Sequence, residues 1–557
     1  MLALWFGFGG GAAEVTVRLL RRFVRHRFMF LSDDVIWMGP VMVTILLLVA
    51  GSLLWMFQRR RARPLDDLLL PLFLAIATLG VLISYPRLHW SADAILALGI
   101  AYQGTRMIRR RRLAFERLVY RTVPILIGLV LLSTAGLYAT RWWVSRRDRS
   151  SPAPDAPNVL LIILDTVRGL DFKGGSLVDA YLPRLARRAE QGVRFDLAFS
   201  ASSWTLPSHA SLFTGRWPAE HRANWSSPLD NRFPTLAEVL ANHGYATAGF
   251  VANTSYASRE TGLGRGFQHY RDYEFGPGEF FRSSAILQMI GQDLGLRRII
   301  GWHQILGRKN ADRINRQALD WLGHNQHRPF FVFLNYLDAH APYLPPAPFD
   351  SALRALPGAS GRDQERRFRS TWQRKLPPGP IMLENRVAYA ASLAYLDDRV
   401  NRLLDSLDTR GLLANTLVIL GADHGEEFGE HDAMGHGHNV FRTTVQVPLM
   451  IWRPGETPGR VTMPVTLRDI PATVMSVTGL GSSSPFPGRS LLDPMPDSVR
   501  SELVWVPGLP PDYGVGDGDQ VSWIVDSIRV IARIGGTKAA FPVYSDPFEG
   551  GREAPIR

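Results

Sequence analysis

The chain has 557 residues, 46% of them hydrophobic, so it is long enough to bury a large core in more than one domain. It contains no cysteine, which excludes disulfide bonds, thiolate metal sites and a cysteine nucleophile. The formal net charge is +13, and all of this excess lies in residues 1–150. Arginines beside apolar runs are typical of membrane-inserted segments. A nucleic-acid enzyme more often carries its excess charge on the catalytic domain, so the charge argues against a nucleic-acid partner.

Long apolar runs fill the N-terminal part of the chain. Residues 35–57 contain no charge and are long enough to cross a bilayer core of roughly 30 Å. Residues 68–85 and 123–140 are further uncharged runs of about spanning length. The run at 91–104 is shorter and contains Asp93, so it is either a fourth span, a re-entrant segment or an interfacial helix. We predict four spans.

The flanking segments indicate how these spans are oriented. Residues 1–30 are too basic for a predicted span, and their RLLRRFVRHRF stretch resembles an interfacial amphipathic helix. No small-residue cleavage site follows a short apolar core, so no removable signal peptide is predicted. The two loops between spans carry slightly more arginine than the opposite side, which places the N-tail and the C-terminal part outside. A proline-rich linker, SSPAPDAP at 150–157, separates a membrane domain (1–149) from a second domain (158–557).

Predicted strands and helices alternate after the linker. The first strand, NVLLIIL at 158–164, is a continuous run of branched apolar residues, as in the buried strands of parallel sheets. Further strands are predicted at 246–251, 329–337, 416–420 and 448–452, and helices at 182–191, 235–243, 310–324, 384–407 and 467–477. This alternation predicts an α/β fold whose mostly parallel sheet is covered by helices on both faces. In such sheets, ligands bind beyond the carboxyl ends of the strands.

Three segments place reactive side chains at such positions. Asp165 follows the first strand, and Thr205 stands just before a predicted helix that begins with a proline. A later strand is followed directly by Asp423 and His424. Carboxylates and imidazoles suit a divalent cation such as Zn²⁺ or Mn²⁺, and a hydroxyl held against such an ion loses its proton more readily. The free N–H groups and positive dipole at the helix start favour a tetrahedral anion, phosphate or sulfate.

Each of these residues alone has a plainer explanation. An Asp after a strand is commonly a turn residue, and a Thr before a helix is commonly an N-cap. The stretch 422–438 is dense in carboxylates and histidines, yet a solvated polar loop would look similar. The combination of three segments, in this order and at the ends of strands, is what favours a catalytic metal site.

These motifs resemble those of the alkaline phosphatase/sulfatase superfamily. Thr205–His209 (TLPSH) is similar to the sulfatase signature Cys/Ser-x-Pro-Ser-Arg, and 422–432 (ADHGEEFGEHD) is similar to the family's metal-binding segment. Three further stretches resemble family segments: FLNYLDAHAPYLPP at 333–346, TLRDIPATVMSVTG at 466–479 and YSDPFE at 544–549. The resemblance runs from about Asn158 to the C-terminus and includes several ordered motifs.

The resemblance implies roles for named residues. It makes Thr205 the nucleophile and implies a divalent metal ion (Zn, Mn, Mg or Ca) with four ligands: Asp165, Thr205, Asp423 and His424. It also implies that His340, together with either His436 or His438, contacts the anionic group or protonates the leaving group. A histidine packed beside Tyr343 would be the plainer explanation of His340. Glu426, Glu430 or a histidine of 431–438 are candidate ligands of a second ion.

Three departures from sulfatases indicate the reaction. Sulfatases convert Cys or Ser to formylglycine, whose aldehyde chemistry Thr205 cannot reproduce, because threonine oxidised at the same carbon gives a ketone. His209 replaces the signature Arg, and Thr166 replaces a second Asp. All three substitutions resemble phosphoethanolamine and phosphoglycerol transferases, which are multi-span proteins with an exported catalytic domain. The resemblance therefore implies transfer of a phosphoryl-containing head group through a phospho-threonine intermediate.

The resulting expectation is a multi-pass protein of a bacterial-type inner membrane with its catalytic domain in the periplasm. Its expected partners are the lipid bilayer and an anionic ester substrate, with a phospholipid as candidate donor and a lipid or glycan as acceptor. Two alternatives stay open. One is a hydrolase of sulfuric or phosphoric esters that is merely anchored to the membrane, and the other is a non-catalytic membrane protein that keeps the fold for binding.

Overall fold

The chain forms two compact units. The computed structural model describes residues 1–25, 27–58, 66–85, 87–146, 155–172, 181–292, 308–325, 327–356, 376–493, 504–506, 520–525, 528–533 and 538–542. The N-terminal unit comprises Met1–Arg147 together with Tyr273–Gly307. The second unit comprises Asp148–Asp272 and Arg308–Arg557, and we call it the catalytic unit because it contains the residues predicted above to be catalytic. The proposed linker at 150–157 begins near the first division, although most of it lies outside the described residues. The sequence analysis did not anticipate the assignment of Tyr273–Gly307 to the N-terminal unit.

Five helices form the first part of the N-terminal unit: α1 (Leu2–Arg25), α2 (Val35–Gln58), α3 (Asp66–Ile83), α4 (Trp90–Arg110) and α5 (Arg112–Arg146). The segments predicted to span a membrane at 35–57, 91–104 and 123–140 lie within α2, α4 and α5, whereas the one at 68–85 extends two residues beyond the end of α3. Among the described residues, Val35–Phe57 and Arg112–Trp143 are long and apolar enough to cross a bilayer, whereas the apolar helix Leu68–Ile83 is shorter. These two helices are consistent with membrane association, and the four-span topology stays a prediction.

Helix α1 packs closely against α2 through glycine. A Cβ atom on Gly7 would lie 2.2 Å from Thr44 Oγ1, and one on Gly11 would lie 2.4 Å from Pro40 Cα. Small residues at such crossings let two helix backbones approach each other. Phe6 is consequently buried in this bundle. The stretch predicted to be an interfacial helix, residues 18–28, overlaps α1 only in the last two turns of that helix, up to Arg25. Arg18, its first residue, is buried.

The catalytic unit is built on an eight-stranded sheet. Its strands are β1 (Asn158–Leu164), β2 (Val193–Phe199), β3 (Ala246–Val251), β4 (His269–Arg271), β5 (Phe330–Tyr336), β6 (Thr416–Gly421), β9 (Gln446–Trp452) and β10 (Gly459–Thr466). The short strands β7 (Glu427–Phe428) and β8 (Met434–Gly435) form a separate hairpin. The sheet order is β10-β2-β9-β6-β1-β5-β3-β4, and only β9 runs antiparallel to its neighbours. The predicted mostly parallel α/β sheet is confirmed.

Helices lie around this sheet, and some of them begin at residues whose side chains cap the helix. They are α6 (Pro183–Ala189), α7 (Thr205–Thr214), α8 (Pro218–His221), α9 (Leu236–Asn242), α12 (Ala311–His324), α13 (Ser351–Arg354), α14 (Gly379–Thr409), α15 (Arg442–Val445) and α16 (Ile470–Val477), while α10 (Pro277–Arg282) and α11 (Ala285–Gln292) belong to the N-terminal unit. Helix α9 begins at a capping box, in which Glu238 N–H donates to Thr235 Oγ1 and Thr235 N–H donates to Glu238 Oε2. Helix α12 is also capped by a side chain, because the N–H of Arg313 donates to Asn310 Oδ1.

Several elements were not predicted. Strands β2, β4 and β10 lie at or near the sheet edges, and β10 contains Pro464 and has an exposed first half. A second, four-stranded antiparallel sheet of β11 (Val504–Val506), β12 (Gln520–Val525), β13 (Ile528–Arg533) and β14 (Lys538–Pro542) was also missed. The YSDPFE segment at 544–549 lies outside the described residues.

One buried histidine makes the fold sensitive to acid. His221 is 1% exposed, its Nδ1 accepts the Ala223 N–H (3.0 Å), and its Nε2 lies 3.1 Å from Ser211 Oγ. Because Nδ1 accepts a backbone donor, the ring is neutral with its proton on Nε2. Burial lowers the pKa of His221 to about 4.

We expect His221 to lower the free energy of unfolding as the pH falls. The folded-state pKa lies below the ordinary value of 6.5, so this contribution is complete above pH 6.5 and is lost as the pH falls towards 4. The loss is on the order of 3 kcal/mol. In urea unfolding of the detergent-solubilised protein, His221→Gln should be less stable at neutral pH but lose less stability between these two pH values. Equal slopes for wild type and variant would contradict this assignment.

Candidate active site and metal centre

The candidate site lies at the carboxyl edge of four adjacent parallel strands. In the order β6-β1-β5-β3, these strands are followed by Asp423 with His424, by Asp165, by His340 and by Asn253. Because β1 pairs in parallel with both β5 and β6, their carboxyl ends meet at one edge. Asp165 and Asp423 therefore lie close together at this edge, where the sequence analysis expected a ligand to bind.

Thr205 reaches the same point from the start of α7. Its hydroxyl oxygen lies 3.2 Å from His424 Nε2, and Asn253 Nδ2 donates to it at 3.3 Å. Helix α7 begins at Thr205 itself, after Trp204 in an extended conformation. Trp204 in turn packs against Gly437, where a Cβ atom would lie 2.1 Å from the indole ring. The φ of +85° at Gly437 is a second reason why only glycine fits there.

Asp165, Asp423 and His424 form a group that could hold a metal ion. One ligand atom from each lies within 4.8 Å of the others, and all three residues are fully buried. Asp165 Oδ1 and Asp423 Oδ2 are buried without a hydrogen-bond partner among the described residues. Such orphaned carboxylate oxygens are costly unless a cation or donor satisfies them. The donor set of two carboxylates and an imidazole therefore fits a divalent cation.

The protonation state of His424 also suits a role as a metal ligand. Its Nδ1 lies 3.1 Å from Gly425 O, and since a carbonyl only accepts, Nδ1 carries the proton. Burial, and then the nearby His436, lower the pKa of His424 well below its usual value. The neutral ring thus leaves the Nε2 lone pair facing Asp165 Oδ1 (3.9 Å) and Asp423 Oδ2 (3.4 Å).

The negative charges of Asp165 and Asp423 repel each other. Burial, and then the charge of Asp165, raise the pKa of Asp423 well above its usual range. Burial also acts to raise the pKa of Asp165, but His340, His424 and the Asn253 amide (2.8 Å from Asp165 Oδ2) hold it below its usual value. Two ionised carboxylates at this spacing need positive charge between them, which a divalent cation would supply.

His209 and Thr166 are two of the residues that differ from the sulfatase pattern, and both contact residues or loops of the candidate site. His209 Nδ1 lies 2.9 Å from Thr205 O and 3.5 Å from Asp423 Oδ2, and the ring is completely buried. The Thr166 hydroxyl donates to Ala339 O (2.8 Å), which ties the end of β1 to the loop of His340. Thr166 has a φ of +64°, so its backbone is in the left-handed region.

The three remaining predicted histidines do not lie equally close to the metal-binding group. The His436 ring is 4.4 Å from the His424 ring and 5.0 Å from the His340 ring, measured between centroids. His438 instead places Nδ1 3.2 Å from His436 O, and burial lowers its pKa to about 4. Of the two alternatives left open by the sequence, the geometry favours His436 as the partner of His340.

Glu426 and Tyr343 hold His436. Its Nδ1 lies 2.9 Å from Glu426 Oε1, while the Tyr343 hydroxyl donates to Glu426 Oε2 at 3.0 Å. Burial raises the pKa of Glu426 to about 8. Glu430, the other candidate for a second ion, pairs with Arg168 at 2.6 Å. Burial opposes its ionisation, but Arg168 and Arg386 lower the pKa of Glu430 to about 2.

Sequence reasoning missed Asn253 and Arg308. Asn253 directly follows the predicted strand 246–251, so the strand-end rule could have found it. Arg308 had no such signal. Its guanidinium donates to four carbonyls of the loop that carries the candidate histidine: Leu337 O (2.6 Å), His340 O (2.9 Å), Ala341 O (3.3 Å) and Asp338 O (3.5 Å). It therefore fixes the backbone of this loop.

Comparisons with known proteins identify the family of this chain. The sulfatase family model matches residues 157–480. The choline-sulfatase of Rhizobium meliloti is 25% identical over 378 residues, which cover 62% of this chain and 73% of that protein. The steryl-sulfatase of Mus musculus is 27% identical over 450 residues, covering 63% and 67%.

Solved structures share the fold. The phosphonate monoester hydrolase of Agrobacterium radiobacter superposes with a TM-score of 0.54 and 21% identity, covering 71% of this chain and 90% of the other. The corresponding enzyme of Silicibacter pomeroyi gives 0.55 and 21%, covering 70% and 90%. The family match extends over more than half of the chain and includes the residues of the candidate site. The chain therefore belongs to the sulfatase family, within the alkaline phosphatase/sulfatase superfamily.

Proposed function

We propose that the protein is a metal-dependent phosphotransferase that moves a phosphoryl-containing head group through a phospho-threonine at Thr205. The observation that carries this proposal is the nucleophile itself. Its hydroxyl stands at the start of α7, 3.2 Å from His424 Nε2 and 3.3 Å from Asn253 Nδ2. A threonine cannot become formylglycine, so it acts through its own oxygen, and phosphorus is the electrophile that suits such an attack.

The proposed reaction has two steps. Thr205 Oγ1, having released its proton to solvent, attacks phosphorus, the bond from phosphorus to the leaving oxygen breaks, and that oxygen takes up a proton from His436 or His340. In the second step an alcohol or water gives its proton to the same histidine and attacks the phosphorus of the phospho-threonine. The bond from phosphorus to Thr205 Oγ1 then breaks, which returns Thr205 to its deprotonated form. The first N–H groups of α7 stabilise the anionic group in both steps.

The proposed ligands of the ion are Asp165, Thr205, Asp423 and His424. A divalent cation bound there would lower the pKa of the Thr205 hydroxyl and neutralise charge that develops on the transferred group. Zn²⁺, Mn²⁺, Mg²⁺ and Ca²⁺ remain the candidates. Asn253 would orient Asp165 and Thr205 through its amide.

The proposed partners are a membrane and its lipids. The N-terminal helices would place the catalytic unit at the outer surface of a bacterial-type inner membrane, in the periplasm. A phospholipid would then serve as donor of the head group, and a lipid or glycan would accept it. The two apolar helices long enough to span a bilayer support this assignment.

Hydrolysis is the second candidate function. It is favoured by the comparisons, which include a choline-sulfatase and two phosphonate monoester hydrolases. In this case water replaces the acceptor alcohol, and the membrane part serves only as an anchor. Turnover of soluble sulfate or phosphonate esters that is unaffected by lipid or acceptor would favour it over transfer.

We expect metal binding to stabilise the folded protein. For metal-stripped enzyme, Mn²⁺ or Zn²⁺ at about one hundred times its Kd should raise the free energy of unfolding by about 2.7 kcal/mol. Thermal unfolding with and without the ion measures this. Asp423→Asn should abolish the increase, because it removes a ligand.

The matched control for the metal experiment is Asp338→Asn. Asp338 is also a buried carboxylate near this sheet edge, and burial raises its pKa to about 6, but it lies outside the metal-binding group. This variant should keep the metal-dependent increase. An increase that survives in Asp423→Asn would place the ion elsewhere.

We expect Thr205 to carry the transferred group. Enzyme incubated with phospholipid and Mn²⁺ or Zn²⁺ should show a phosphate-bearing adduct on Thr205 by intact-mass and phosphopeptide analysis. Thr205→Ala should lack the adduct and lose roughly a thousandfold or more in turnover, as removal of a nucleophile does. Thr205→Ser, which keeps the hydroxyl, should form it. Undiminished turnover by Thr205→Ala would refute the proposal.

We expect Glu426 to matter most for poor leaving groups. Glu426→Gln should lower kcat for alkyl esters by roughly 10–100-fold, the usual cost of losing a partner that orients a functional histidine. Nitrophenyl esters need little protonation of the leaving oxygen, so their kcat should change far less.

Two variants serve as controls for Glu426. Tyr343→Phe removes one hydrogen bond to Glu426 and should show a smaller loss with the same dependence on the leaving group. Glu427→Gln alters the adjacent carboxylate, which binds His431 instead, and should affect both ester types alike. Equal losses for both esters in Glu426→Gln would mean that the residue has only a structural role.

A further inference from the structure

The segment Tyr273–Gly307 interrupts the catalytic unit between β4 and α12, yet it belongs to the N-terminal unit. Its described part contains α10 and α11. Helix α10 packs against α2, and α11 packs against α3. The chain therefore passes between the two units three times, at residues 147–148, 272–273 and 307–308.

Two buried charged residues of α1 bind this segment. Glu14 is 1% exposed, and its Oε2 accepts the N–H of Ala285, the first residue of α11, at 2.9 Å. Arg18, 5% exposed and one turn further along α1, donates to Ser283 O (3.0 Å) and to Gln288 Oε1 (3.3 Å). The carboxylate thus caps the N-terminus of α11, where negative charge is stabilising.

The surroundings are shaped for this contact. A Cβ atom on Gly80 of α3 would lie 1.9 Å from Glu14 Oε1, so glycine makes room for the carboxylate. Further contacts join the loop before α2 to α10: Ser32 N–H donates to Glu279 Oε1 (3.0 Å), and Arg282 donates to Phe30 O (2.8 Å). Charged groups buried in an otherwise apolar bundle are costly unless bonded in this way.

We propose that α1, α2 and α3 form an obligatory docking surface for the segment 273–292, with Glu14 and Arg18 as its two fixing residues. The N-terminal helices are then a structural part of the enzyme and not a detachable anchor. The proposal does not depend on the reaction proposed above, because its partner is a segment of the same chain.

The absence of cysteine from the chain allows a direct test in the full-length protein. Ser284 is fully buried, and Phe275 is 75% exposed. Ser284→Cys should react with a water-soluble maleimide roughly tenfold or more slowly than Phe275→Cys, because the segment must first open locally. Equal rates would show that the segment is not docked.

Variants of α1 then test the two fixing residues. Adding Glu14→Ala and Arg18→Met to Ser284→Cys should raise its labelling rate to near that of Phe275→Cys, and the milder Glu14→Gln should raise it less. Arg22→Met is the matched control, because Arg22 pairs with Asp33 and should leave the rate unchanged. If the double variant still labels slowly, Glu14 and Arg18 do not hold the segment.

A cleavage experiment gives a second measurement. With a protease site placed in the 150–157 linker and an affinity tag at the N-terminus, the cut catalytic fragment should stay bound to the resin in detergent. In the Glu14→Ala/Arg18→Met background it should elute. Elution of the fragment without these substitutions would overturn the proposal.

Discussion

The candidate site depends on bringing two fully buried carboxylates, Asp165 and Asp423, side by side. Neither is held there by its own local sequence. Strand β1 pairs in parallel with β6, so the residues that follow the two strands meet at one edge. Burial, and then the charge of Asp165, raise the pKa of Asp423, and among the described residues one oxygen of each carboxylate has no hydrogen-bond partner. A cation would resolve this conflict, and Thr205, Asn253 and the histidines are arranged around the place where it would lie.

Much of the fold could be predicted because the strands that carry the site residues are buried on both faces of the sheet. A parallel strand buried on both faces is mostly apolar, so β1, β3, β5 and β6 stand out in the sequence as largely apolar runs. Their order along the chain, alternating with helices, is enough to place the reactive residues at one edge. Strands near the sheet edges lack this signature. The half-exposed β10, with Pro464 inside it, could not be recognised from its pattern.

The remaining parts of the site depend on contacts that sequence patterns do not encode. His436 and His438 are indistinguishable in the sequence, and only the tertiary contact of His436 with His424 and His340 separates them. Arg308 precedes α12, far from any motif, yet it binds the carbonyls of the His340 loop. Asn253 is the exception, because its position after a buried strand was visible in advance.

The late position of the segment that completes the N-terminal unit has a consequence for synthesis. Glu14 and Ala285 are 271 residues apart in the chain, and residues 148–272 of the other unit lie between the two halves of the N-terminal unit. At the usual speed of translation, roughly tens of seconds separate the appearance of these partners at the ribosome. During that interval α1 must take its place with Glu14 and Arg18 lacking their final contacts. The N-terminal unit therefore cannot reach its native state before residues 273–292 have been made.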